Sequence, residues 1–464
     1  MIACYAGFTK RFRSAMRTAL ATLAGALLLL WPAFVNGYPL LFSDTAGLLA
    51  MALLPDMGWD KPWVYGPFLM LLHGRTTLWV PALAQAWLLS HLLWLAARSL
   101  GGWTALRHIA LGAVLALATA APWFASQLMP DVFAPMTVLC LFLLAWPERL
   151  TGAERGWVAV IATLAIAVHL AHLVLAAGCI ATVCVLRWRL LWRTALPLAS
   201  ALALLLLSNI AGNGIVGISP YGSVFMLARL VADGPARQVI DARCPQAGWR
   251  ICAWKGRLTR DSDAFLWAPE SPVWANDFGP TLFAPEASRI VQATVLAHPV
   301  EVARAMLLNT ARQLIRTDLG DAIGPEYLDV TDGFVLRKFF PANEVARYQA
   351  SLQRTGKLRA VAAPLLWPDR IALALGLAGT LWTLARWRRR PLLAAFAVLV
   401  LAALLANAFS TGALSGPHDR YQARIAWLVV LPPLLTLLGA RPPRAASVPA
   451  PRIREAAAPS PDPA

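Results

Sequence analysis

Long apolar runs separated by short basic stretches set the pattern of this chain. The apolar runs cover residues 18–35, 78–97, 106–126, 132–146, 156–186, 194–210, 367–385, 391–409 and 425–438. Most approach the roughly 20 residues that a helix needs to cross a bilayer. Two do not fit: 132–146 is short, and 156–186 is too long for one crossing and carries His169-Leu170-Ala171-His172 at its middle.

The arginines decide how to divide the long run. Read as one helix, 156–186 would leave Arg187, Arg189 and Arg193 on the outer side. Read as two short helices turning at His169–His172, it places every basic cluster on one side: Lys10/Arg11/Arg13/Arg17, Arg187/Arg189/Arg193, Arg386/Arg388/Arg389/Arg390 and Arg441/Arg444. Only Lys61, Arg75, Arg420 and Arg424 then lie in the short outer loops. The positive-inside rule favours this arrangement. It predicts an all-α polytopic membrane protein of about ten transmembrane helices, with both termini cytoplasmic. The first run has a basic leader, yet no small-x-small cleavage site follows it, so it reads as a retained span.

The predicted organisation is a cytoplasmic basic leader at 1–17 and a membrane core at 18–211, with a first outer loop at 36–77. A mainly helical extracytoplasmic domain follows at 212–363. C-terminal membrane helices at 364–440 and a Pro/Ala-rich disordered cytoplasmic tail at 441–464 complete it. In the outer domain the first half reads as irregular. The second half reads as helices over 286–297, 299–317 with Pro299 at its first position, and 342–357. On the middle one, Val302, Met306, Leu307, Leu314 and Ile315 recur at helical spacing.

Composition agrees with a membrane protein. The chain is 58% apolar and 14% charged, and its twenty tryptophans suit helix ends at membrane interfaces. The formal charge of +17 does not point to nucleic acid, because the surplus sits in clusters flanking apolar runs and no basic stripe is interleaved with aromatics. Of the cysteines, Cys4 lies in the leader and Cys140, Cys179 and Cys184 in apolar runs. Cys244 and Cys252 bracket a short polar loop and would pair as a disulfide in an extracytoplasmic domain. Nucleotide-binding and serine-hydrolase motifs are absent.

The predicted topology gathers several reactive groups on the outer face. Asp44, in Phe42-Ser43-Asp44-Thr45, is a carboxylate beside a span. It reads either as a catalytic base or ligand, or as the cap of an amphipathic helix over 45–54. Asp56, Asp60 and Lys61 read as solvated loop charges. Asp131 reads as an N-cap for 132–146, or as a second carboxylate facing Asp44 for acid/base work or a divalent cation. His169 and His172, three apart, read as hydrogen-bonded turn residues, as phosphate contacts, or as zinc ligands, though no Cys or Glu sits locally to complete a tetrahedral set. Arg420, in His418-Asp419-Arg420-Tyr421, can grip phosphate or snorkel to headgroups.

These elements resemble the GT-C superfamily of integral-membrane glycosyltransferases, which take sugars from polyprenyl-phosphate donors on the outer face. Phe42-Ser43-Asp44-Thr45 is similar to the first-loop acidic motif, Met129-Pro130-Asp131 to a second acidic position, and Asp419-Arg420-Tyr421-Gln422 to a late Arg-Tyr element that meets donor phosphate. Asp263-Ala264-Phe265-Leu266-Trp267 and Cys244-Pro245 resemble runs in a group of uncharacterised bacterial membrane proteins. The resemblance implies a GT-C-like fold and a transferase of the bacterial inner membrane whose large loop is periplasmic. It implies Asp44 and Asp131 as catalytic carboxylates, and Arg420, Tyr421, His418, His169 and His172 around the donor phosphate. The donor would be a lipid-linked sugar and the acceptor an envelope glycan, lipid or protein, with a divalent metal ion as an option and membrane lipids as surroundings. A lipid or polysaccharide transporter and a non-catalytic envelope assembly protein are the competing readings.

Overall fold

The computed structural model describes residues 2–54, 57–275 and 279–439, with side chains from residue 15 onward. The readings made for the side chains of Cys4, Lys10, Arg11 and Arg13, for Asp56 and for the tail from Arg441 lie outside what the structure describes. The described chain is all-helical, with no strand among these residues. Its one isolated bridge joins Leu40 to Gln127. Five helical runs are long and apolar enough to cross a membrane: Trp79–Leu100, Leu170–Asn213, Leu358–Ala385, Pro391–Ala413 and Asp419–Leu438. Shorter apolar helices include Ala15–Leu29, Ala105–Ala118 and Pro130–Ala145.

The short 132–146 run has a clear packing explanation. Every residue of the Phe133–Ala145 helix is buried, and it packs against the helices Trp79–Leu100, Gly152–Ala167, Leu170–Arg187 and Leu191–Asn213. A helix that is apolar all round belongs in the middle of a bundle.

The 156–186 run is broken at its middle, as its length demanded. The helix Gly152–Ala167 ends before Val168, and His169 caps the next helix, Leu170–Arg187. The two halves run back on each other, because Arg187 at the far end of the second donates to Ala145 O at 3.2 Å and pairs with Glu148. That end of the bundle also holds Arg98, bound to Glu154 at 2.8 Å. The opposite end gathers the Leu40–Gln127 bridge, the bond from the Thr45 hydroxyl to Leu128 O at 3.1 Å, and that from Ser410 Oγ to Ala171 O at 3.1 Å.

The 212–363 region differs from expectation in four places. Its first half is helical rather than irregular, with Gly222–Asp233, Pro235–Arg243 and Ser262–Trp267. Pro235 needs a new helix start, and Gly234, at φ 116°, supplies the bend. These helices surround a separate core of Val224, Leu227, Val231, Ile240, Phe265 and Phe283, stapled by the Cys244–Cys252 disulfide. The 286–297 helix starts earlier, as Gly279–Ala297. The Pro299–Leu314 helix begins at its proline but buries Val302, Asn309, Thr310 and Gln313, while Leu307 and Ile315 point outward. The inward face is apolar at Val302 and Met306 and polar at Asn309, Thr310 and Gln313, so the apolar spacing found its first turns and missed the polar part that meets the bundle. The last helix stops at Ala350, since the chain turns there to bring Gln353 onto both backbone groups of Leu41, at 3.0 and 2.7 Å.

The later part of 212–363 is not a separate body. Leu328, Val335, Leu336 and Tyr348 share the bundle's own core, and Leu319, Ile323 and Leu358 pack with Leu40 and Trp123.

Candidate active site

The site forms where the 36–77 loop meets the late helix Asp419–Ala426. The helix Ser43–Leu53 starts at Ser43, preceded by an extended Phe42, and the Thr45 hydroxyl accepts from the Phe42 amide at 3.0 Å. Asp44 is therefore in the first turn and is not the cap. Its charge suits the helix N-terminus, and its carboxylate stays 32% exposed, so solutes can reach it. Lys61 lies 3.3 Å from Asp44 and also pairs with Asp60. The reading of Asp60 and Lys61 as solvated loop charges is thereby corrected. Burial works against the Lys61 ammonium, but Asp44 and Asp60 outweigh it and hold its pKa above the ordinary lysine value.

Asp131 has a different setting from the helix cap. It lies in the short 3-10 turn Pro130–Val132 and makes no cap bond. It is 1% exposed, and its carboxylate meets the Arg424 guanidinium at 3.3 Å. Arg424 donates also to Asn407 Oδ1 at 3.1 Å. A facing pair of free carboxylates is thus replaced by one reachable carboxylate, Asp44, and one buried ion pair.

Arg420 is 6% exposed, which removes the snorkelling reading. Its guanidinium sits 3.8 Å above the Phe42 ring and 5.1 Å from that of Tyr421. Its Nη1 is buried and meets no hydrogen-bond partner among the described residues. Asp131 and Asp44 both act on this charge electrostatically. A buried guanidinium with a donor unused is costly unless a ligand anion completes it.

The histidines divide. His169 Nδ1 accepts from the Ala171 amide at 3.1 Å, so it serves as a helix cap. Its ring stacks on His172 at 5.1 Å, while Arg424, Arg420 and Lys61 all act on it. His172 bonds Ala165 O at 2.7 Å and leaves Nε2 buried without a partner among the described residues. His418 turns to the 212–363 region, with Nε2 at 3.3 Å from Asp263 and backbone bonds to Gln313. That contact holds the Asp263 carboxyl below its ordinary range. No group of three or more His, Cys, Asp or Glu among the described residues is arranged to hold a metal ion.

Two further carboxylates are buried, and one of them, Asp332, interacts electrostatically with Asp44. Glu344 Oε1 accepts from the Tyr38 hydroxyl at 2.9 Å, the Thr77 hydroxyl at 3.1 Å and the Leu78 amide at 2.8 Å. Asp332 is fully buried and accepts from the Thr331 hydroxyl at 3.1 Å. Burial, with some help from Asp44, pushes its carboxyl well above the ordinary range. Sequence reading missed Lys61, Phe42, Asn407, Glu344 and Asp332. Asn407 carried a usable signal, as a lone amide inside an apolar run. Phe42 stood in the quoted motif without a role.

Comparison of the chain with family models, with curated proteins and with solved structures finds no match in any of the three.

Proposed function

We propose that this protein is a membrane glycosyltransferase of GT-C type, moving a sugar from a polyprenyl-phosphate donor to an envelope acceptor. The observation that carries this reading is the buried Arg420 guanidinium, with Nη1 unpartnered, beside the reachable Asp44 carboxylate. In the proposed reaction Asp44 takes the proton from an acceptor hydroxyl or amine as that atom bonds to the sugar's anomeric carbon. The bond from that carbon to phosphate breaks, and the polyprenyl phosphate leaves with the electron pair, met by Arg420. Lys61 holds the Asp44 carboxylate in place, and the Asp131–Arg424 pair fixes the Asp419–Ala426 helix that carries Arg420.

The membrane setting belongs to the same proposal: ten crossings in a bacterial inner membrane, both termini cytoplasmic, with the site outside. The Arg98/Arg187 end would be cytoplasmic and the Asp44 end periplasmic. The test uses the full chain in lipid vesicles with a radiolabelled polyprenyl-phosphate sugar and envelope extract as acceptor. Arg420→Ala and Asp44→Asn should each lower transfer at least 100-fold with the fold intact. Full transfer by Asp44→Asn would overturn the base assignment, and no transfer by the wild-type chain would overturn the enzyme reading.

A further inference from the structure

The helix Pro299–Leu314 turns its two faces to different surroundings. The inward side packs on the separate core through Val302 and Met306, and on the bundle through Asn309 and Gln313. The outward side carries Leu307, Leu308 and Leu314, and Ile315 follows directly. Leu307 is 69% exposed and Ile315 81%, so the described chain leaves this apolar face uncovered. Arg304, Arg312 and Arg316 are exposed along the same stretch. An apolar face rimmed by charge marks a contact with another molecule or with lipid.

The position of the helix selects lipid. It sits at the site end of the Pro391–Ala413 run, on Gly412, where a Cβ would collide with Asn309 O and Gln313 Cβ. Leu405 and Phe409, seven and three residues before Gly412, lie on the same side of that run and are exposed. The exposed apolar strip of a helix fit to cross a membrane therefore leads up to the seat of this one. Just past the end of the run, Arg316 donates to Pro417 O at 3.0 Å. Asp318 pairs with Arg370 at 2.8 Å, and Arg370 lies over the Trp367 ring in the first turn of Leu366–Ala385. Tryptophan at the end of such a helix is the usual mark of a membrane–water interface.

We propose that the Leu307–Ile315 face is a membrane-surface anchor, whose apolar side chains enter the lipid at the interface while Arg304 and Arg312 meet acidic headgroups. Apolar burial and attraction to anionic lipid act together on a helix of this kind. The inference rests on the membrane setting of the reading above and is independent of the transfer reaction. It also gives the helix a task at the site. Gln313 bonds the backbone of His418 twice, at 2.8 and 2.9 Å, and the next residue starts the helix that carries Arg420. A helix seated among the headgroups holds Arg420 at a fixed depth relative to the bilayer.

The test is fluorescence quenching of the full chain in nanodiscs of phosphatidylcholine and phosphatidylglycerol. Cys4 and Cys184 are replaced by Ser, and bimane is attached at Leu307→Cys, Ile315→Cys or Leu405→Cys. Bimane at the first two positions should be quenched at least twofold by lipid with a nitroxide near its headgroup, and little by aqueous iodide. At Leu405→Cys a nitroxide deep in the acyl chain should quench instead. A nitroxide on phosphatidylglycerol should quench Leu307→Cys at least twofold more than the same nitroxide on phosphatidylcholine, and Arg304→Gln with Arg312→Gln should remove that difference. Iodide quenching at Leu307→Cys and Ile315→Cys, with Leu405→Cys still in lipid, would overturn the anchor and leave the membrane setting standing. Shielding of both positions from iodide and nitroxide alike would overturn it too, by showing that a second copy or another protein covers the face. Equal quenching through the two headgroups would overturn the assignment of Arg304 and Arg312. Escape of Leu405→Cys from every lipid nitroxide would bring down the membrane setting and the anchor with it. A chain that transfers no sugar yet shows the expected quenching keeps the anchor and loses the transferase reading.

Discussion

Removing Asp131 tests the electrostatic core of the site. Its carboxylate and the Arg424 guanidinium are 2% and 0% exposed and 3.3 Å apart. At an effective dielectric of 20, two unit charges at that distance attract by about 5 kcal/mol. Breaking one side of such a buried pair typically costs about 3–5 kcal/mol, because the remaining charge is left uncompensated. Here Arg424 would keep only the neutral Asn407 carbonyl, with a second guanidinium at Arg420 nearby. Asp131→Ala should therefore lower Tm by about 5–10 °C, taking about 2–4 °C per kcal/mol for domains of 150–250 residues and less for a larger bundle. Tryptophan-fluorescence melting in detergent would read this. The double variant Asp131→Leu with Arg424→Met removes both charges and should recover most of the loss, since apolar replacements of buried pairs are often neutral. An Asp131→Ala protein melting within about 1 °C of wild type, or a double variant as unstable as the single, would refute the argument that this pair is desolvated and coupled.

Other perturbations follow from neighbouring contacts. Because burial raises the Asp332 pKa, its stabilisation is full below the ordinary carboxyl range and is lost as pH rises through the raised value; Asp332→Asn should melt higher than wild type at pH 8 and equally at pH 4. Glu344→Ala would strand three donors, those of Tyr38, Thr77 and Leu78, and should cost about 3 kcal/mol or more in denaturant melts. Lys61→Met leaves Asp44 and Asp60 without their shared cation and should reduce sugar transfer at least tenfold with a small change in Tm. A Cβ on Gly412 would stand 2.6 Å from Asn309 O, so Gly412→Ala should push the Pro299–Leu314 helix off the bundle and raise hydrogen exchange at the His418 amide, which donates to Gln313 Oε1.

Much of the scaffold was legible because membrane-type helices write their lengths into the sequence. The 156–186 run was too long and basic beyond its end, and the chain does fold back at His169. The 132–146 run was too short, and its apolarity on all sides agrees with a place at the centre of the bundle. Reading failed where polar faces pack inward. Val302 and Met306 do face a core, but Asn309, Thr310 and Gln313 continue that face against the 409–413 turn, while Leu307 and Ile315 point outward.

For the site, the sequence determined the inventory: Asp44 beside a span, Asp131 after a proline, and Arg420 and Arg424 where topology offered no reason for them. A lone charge in an apolar setting is visible without coordinates, since its desolvation cost demands an explanation. The tertiary structure alone decided the partnerships. It gave Asp131 to Arg424, Lys61 to Asp44, His418 to Asp263, and left Arg420 over Phe42 with a donor unused. Phe42 and Arg420 are hundreds of residues apart, and pairing at that range follows from how helices pack, which no local pattern of residues encodes.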